Sequence, residues 1–179
     1  MMFRALAARF GVGLGMALLL ATSAGAAQVV EGYGHVTAVD QPGVPPEPTL
    51  DYKVILSVTK AGPDGAPAMG LDHAARLANI LDQFHVPANH RNIVVILHGP
   101  ATLAVLNSVG VKAHGKSANP DAELIARLIA AGVRVDVCAQ AMAGMKITRD
   151  ELLPGIQVDE SALTTLATLE LKGYVPIFD

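Results

Sequence analysis

The run "NIVVIL", Asn92 to Leu97, is the feature that most restricts what this chain can fold into. Five apolar residues follow one another, four of them β-branched, in a stretch too short for a buried helix. Such a run reads as a strand covered on both faces, which is the habit of parallel sheets. "YKVILSV" (Tyr52 to Val58) and "VRVDVC" (Val133 to Cys138) are strand-like as well. "IQV" and "YVPIF" offer two shorter strands, the last as a final or edge strand.

Helical patterns fill the spaces between these runs. "LDHAARLANILDQF" sets Leu71, Ala74, Leu77, Ala78 and Leu81 on one stripe. "HGPATLAVLNSVG" predicts one short helix with Pro100 in its first turn. "NPDAELIARLIAAG" predicts a helix capped by Asn119, with Pro120 at its first position, Leu124, Ile125, Leu128 and Ile129 inward, and Gly132 as its stop. "TRDE", Thr148 to Glu151, has capping-box spacing and predicts one short turn. A last helix is expected from about Asp159 to Lys172. Strands alternating with helices of this length give an α/β class: a three-layer α/β/α sandwich on a mainly parallel sheet of about five strands.

The expected domain occupies residues 51–179. Residues 28–50 read as a proline-rich N-terminal arm, because "QPGVPPEPTL" holds four prolines in ten residues and excludes helix and central strand alike. Residues 1–27 have the layout of a signal peptide: Arg4 and Arg9, then an apolar stretch from Phe10 to Ala21, then small residues at Ala24 and Ala26. An apolar core of about a dozen residues is short for a membrane span of roughly 20. Export to a bacterial periplasm is expected, with no stable membrane span once the leader is cleaved.

Charge narrows the partners. Without Arg4 and Arg9, 11 of the 13 basic residues remain against 16 acidic ones, a net charge of −5. Nucleic acid is excluded as a partner because phosphate binding needs a basic surface. The chain lacks a G-x-G-x-x-G fingerprint, a P-loop and a G-x-S-x-G elbow, so no nucleotide cofactor is expected. Its six histidines include no i,i+4 pair, and no metal site is expected either. Lys112, His114 and Lys116 read as a solvated loop, and His73 as a half-buried packing residue.

Two reactive side chains fall where open parallel sheets place their ligands, beyond the carboxyl ends of the strands. His98 ends "NIVVIL" and Cys138, the one cysteine, ends "VRVDVC". Each is followed almost at once by a helix start, whose backbone N–H groups stabilise a thiolate or an oxyanion. Strand parity puts Val133, Val135 and Val137 on one face, and Arg134, Asp136 and Cys138 on the other, more polar one. The competing reading makes Cys138 a small buried hydrophobe.

From Tyr52 to Phe178 the chain resembles the DsrE/DsrF-like (YchN-like) family. The resemblance rests on "YKVILSV", on "VVILHGPA", on "NPDAELIARLIAAGVRVDVCAQAM" and on "ITRDELLPGIQVDESALTTLATLELKGY". It implies an α/β/α domain that assembles into homo-oligomers, typically trimers or hexamers. It also implies sulfur chemistry: in relay members a cysteine at this strand-to-helix junction carries sulfane sulfur as a persulfide, and Cys138 stands at that position. His98 matches a histidine often present in the family's strand-end turn. The expectation is therefore a periplasmic, homo-oligomeric carrier that takes sulfur from a donor protein or small thiol through Cys138, with His98 assisting. Its rival is a non-catalytic ligand-binding or assembly module in which Cys138 only fills space.

Overall fold

The computed structural model describes residues 28–63 and 65–179, so the expected signal peptide lies outside the described residues. Five parallel strands form one sheet: β1 (Tyr52–Val58), β2 (Arg91–Leu97), β3 (Arg134–Cys138), β4 (Gln157–Asp159) and β5 (Val175–Phe178). Their order is β4-β3-β2-β1-β5. The short final run is thus the edge strand beside β1, where Pro176 removes one backbone donor, as edge positions allow.

Period-two alternation sorts the strands into two faces. Val54, Leu56 and Val58 of β1, Ile93, Val95 and Leu97 of β2, and Val135 and Val137 of β3 enter the larger core. There they meet α1 (Met69–Gln83) and α3 (Ala122–Ala130) through Leu71, Leu81, Leu124, Ile125 and Leu128, all fully buried. Each such side chain contributes on the order of 1.5–3 kcal/mol on leaving water. The opposite face carries Ile55, Val94, Ile96 and Cys138 against Ala162 and Leu169 of α5 (Ala162–Leu171). Helices therefore stand on both faces of the sheet, giving the three layers expected.

Two helix boundaries differ from expectation. α3 begins at Ala122, with Asp121 as its flanking residue, because Pro120 and Asp121 form a turn ahead of it. Asn119 Nδ2 donates to the carbonyls of Ala104 and Leu106, both at 2.8 Å, and Asn119 Oδ1 accepts from the Asp121 N–H. The segment after His98 is not one helix. A 3₁₀ stretch, Gly99–Val105, is followed by α2 (Ser108–Ala113), which Asn107 caps by accepting from the N–H groups of Val109 and Gly110. The Thr148–Glu151 capping box is present at the 3₁₀ turn Arg149–Glu151 that follows α4 (Ala139–Met145).

The N-terminal arm contains no helix or strand, as its prolines require, yet its first residues are held fast. Val30 is buried, and Asn79 of α1 grips the arm with both ends of its amide. Its Oδ1 accepts from the Val30 N–H at 2.8 Å, and its Nδ2 donates to the carbonyls of Val30, Tyr33 and Gly34. Gly34 lies with φ at +59° against the α1 backbone, where a Cβ would strike Arg76 and Ala75. Asn79→Ala leaves several buried arm groups unpaired, so a loss of about 2–3 kcal/mol is expected in urea unfolding. Amide exchange at Val30 should speed up in the same variant, because the arm lifts before the sheet opens.

Candidate functional site

The carboxyl edge of the sheet brings the two expected residues together. β2 and β3 pair through Leu97 and Val137, so the next residues, His98 and Cys138, stand side by side. β3 and β4 pair Cys138 with Asp159. All three belong to the face that α5 partly covers, the side the parity of "VRVDVC" gives for the thiol.

His98 is extended (φ −151°) and the chain reverses at Gly99, whose φ of +54° lies in the region that favours glycine. The His98 N–H donates to the Val58 carbonyl at 3.1 Å, which anchors the turn to β1. Its ring Nε2 lies 2.8 Å from Ser57 Oγ of the same strand. Partial burial pulls the imidazole below its ordinary 6.5, so at pH 7 it is the neutral form. NMR titration of the His98 ring should therefore give a midpoint below 6.5.

Cys138 is a free thiol, 6% exposed, seated before the first turn of α4 with no side-chain capping bond. Its neighbours in the packed cluster are apolar: Ile55, Val94, Ile96, Ala162 and Leu169. Beyond it the face turns polar, as expected from Arg134 and Asp136. Asp136 is fully buried, and the Arg134 guanidinium holds it, Nε at 2.9 and 3.1 Å from its two oxygens and Nη2 at 2.8 Å. Burial nevertheless pushes the Asp136 carboxyl up to about 6, with Arg134 pulling down and Asp159 adding to the rise. Thr165 of α5 donates to Asp159 Oδ2 at 2.7 Å. A shallow cleft of about 250 Å³ opens here, lined by Arg134, Asp159, Thr165 and Lys172 among others.

Ser57, Asp159 and Thr165 are the members that sequence reasoning missed. For Ser57 the signal was present: it shares strand parity with Ile55 and stands one residue before β1 ends. A second cleft, of about 270 Å³, lies between the loop after β1 and residues 116–121, and neither cleft is lined by Cys138 or His98. Lys112 and Lys116 are solvated, but His114 lies 3.3 Å from Glu151. His73 is 3.4 Å from Asp179. Among the described residues no three His, Cys, Asp or Glu side chains gather as metal ligands, and no helix is long and apolar enough to cross a membrane.

Comparison with solved structures gives the same fold. MTH1491 from Methanobacterium thermoautotrophicum, a protein of unknown function, superposes with a TM-score of 0.53 at 15% identity, over 72% of this chain and 100% of that one. The ychN protein from E. coli superposes with a TM-score of 0.52 at 20% identity, over 71% of this chain and 98% of that one. No curated protein matches the chain. The family model of the DsrE/DsrF-like family matches residues 53–177, from the second residue of β1 to the third of β5, and the chain belongs to that family.

Proposed function

We propose that this protein is an exported, homo-oligomeric member of its family that handles sulfane sulfur through Cys138. The observation that carries the reading is the juxtaposition of Cys138 and His98 on one face at the carboxyl edge of β3 and β2. In this reading the Cys138 thiol passes its proton to the neutral His98 ring. The thiolate then bonds to the outer sulfur of a donor persulfide, R–S–SH. The donor S–S bond breaks and its electron pair leaves on R–S⁻, which takes the proton from His98. Products are Cys138–S–SH and R–SH, with no net oxidation. Transfer to an acceptor thiol, from a partner protein or a small molecule, runs the same exchange in reverse.

One observation favours a second reading. A thiol only 6% exposed and packed on Ile55, Val94 and Ile96 is what a space-filling cysteine looks like. The domain would then act as a ligand-binding or assembly module. Mass spectrometry of the folded protein after polysulfide treatment separates the two: a gain of about 32 Da, one sulfur atom, supports the carrier. A folded chain that gains nothing, while the unfolded chain does, sinks it.

A further inference from the structure

Asp121 is a buried carboxylate without a cation. It stands just ahead of α3 and is only 5% exposed. Its Oδ1 accepts from the Ala68 N–H at 2.6 Å, which ties the start of α1 to the start of α3. Its Oδ2 has no hydrogen-bond partner among the described residues, and none of their ion pairs includes Asp121. That oxygen is not sealed in packing either. Asp121 lines the cleft of about 270 Å³ between the loop after β1 and residues 116–121, and Oδ2 opens there. Burial raises the Asp121 pKa, and only the Ala68 N–H pulls against it. A carboxylate held this way is costly, and a charged donor seated in the cleft would offset that cost.

The rest of the cleft is mostly apolar. Pro63, Leu103, Leu106 and Val111 contribute its walls. The Asn119 amide is already committed to the Ala104 and Leu106 carbonyls and to the Asp121 N–H. Lys116 stands exposed at the rim. The walls come largely from segments that leave the carboxyl ends of β1 and β2, where open parallel sheets receive ligands. Ala104, Leu106 and Val111 belong to the core facing α1 and α3, whereas Cys138 packs on the α5 face. The cleft is therefore a separate site.

We infer that this cleft binds a small primary ammonium with an apolar body. The –NH₃⁺ group donates to Asp121 Oδ2, and the hydrocarbon lies against Leu103, Leu106 and Val111. A volume just under the roughly 300–1,000 Å³ of drug-sized pockets suits a ligand of about ten non-hydrogen atoms or fewer. A compact ammonium brings a full charge and three donors to a place where only one oxygen waits. Lys116 opposes a second positive charge at the far end of the ligand, so that end is neutral or anionic. The inference goes beyond the sulfur chemistry and stands whether or not Cys138 reacts.

Pentylamine, a cation at neutral pH, is the probe, followed by amide-resolved NMR of the purified protein. Saturable shifts are expected at the Ala68 amide, which reports directly on Asp121, with a dissociation constant on the order of millimolar. Pentanol and pentanoate have the same chain length without the positive charge and should bind at least tenfold more weakly. Cadaverine, with its second ammonium, should also bind more weakly than pentylamine. Asp121→Asn keeps an oxygen for the Ala68 N–H but loses the charge, and should weaken pentylamine at least tenfold. The amide spectrum confirms that this variant is folded; where it is not, the comparison of pentylamine with pentanol on the native chain decides. Pentanol binding as tightly as pentylamine would overturn the inference. So would pentylamine shifts that survive Asp121→Asn, or that never reach Ala68.

Discussion

Cys138→Ser should abolish the uptake of sulfur by the folded protein. The chain has a single cysteine, so a persulfide has no other thiol to form on, and a serine hydroxyl does not attack sulfane sulfur at neutral pH. The substitution is nearly isosteric within the cluster of Ile55, Val94 and Ile96, so the fold survives it at a cost of about 1 kcal/mol or a little more, that of a poorly paired hydroxyl. Its effect on the adduct is all or none, which makes it the largest expected here. His98→Ala should act differently. The adduct still forms, but its rate falls by about a hundredfold, the lower range for a positioned acid–base group. The pH profile loses its inflection below 6.5 at the same time. Equal rates in wild type and His98→Ala would remove His98 from the chemistry while leaving Cys138 in it.

Burial adds a kinetic corollary. A donor reaches Sγ only when the cluster around Cys138 opens, so the uptake rate should rise with denaturant well below the unfolding midpoint. Local opening of the short helix α4 is the smallest motion that uncovers the thiol, because α4 leaves directly from Cys138. A rate independent of denaturant would mean that the thiol is reached without opening.

The sheet was legible in the sequence because its signals are local. "NIVVIL" is a covered strand wherever it occurs, and the alternation in "VRVDVC" assigns Arg134, Asp136 and Cys138 to one face before any partner is known. Asn119 was legible as a capping side chain, and its Oδ1 does accept from the Asp121 N–H, but Pro120 and Asp121 form a turn, so α3 starts at Ala122. Its Nδ2 bonds to the carbonyls of Ala104 and Leu106 were not legible, because they depend on a segment some fifteen residues away. The same holds at the site. His98 and Cys138 could be placed at strand ends by pattern, but their adjacency needs the β2–β3 register, and the His98–Ser57 bond needs β1 next to β2. Asp159 could not be seen as a neighbour of Cys138 at all, since a three-residue strand leaves almost no periodic trace.

Asp136 should make the protein less stable as pH rises, against the usual direction for a carboxylate held by an arginine. Arg134 does lower its pKa, but complete burial outweighs that, and Asp159 on β4 adds to the rise. The folded state therefore holds a proton at Asp136 up to about pH 6, whereas the unfolded chain releases it near 3.8. Between those values the native state binds more protons than the unfolded one, so unfolding free energy declines as pH increases. A shift of that size corresponds to about 3 kcal/mol, fully lost above the folded value. Asp136→Asn keeps the shape without the titration. Urea unfolding of both proteins at several pH values should show wild type losing about 2 kcal/mol relative to the variant from pH 4 to pH 6, and a constant difference from about pH 7 upward. Taking the difference cancels the opposing contributions of Glu151 and His98, whose pKa values are lowered and whose stabilisation is lost as pH falls. Parallel profiles would mean that Arg134 wins, keeping Asp136 ionised, and that the polar side of this face is a permanent ion pair instead of a carboxyl that takes up a proton in mild acid.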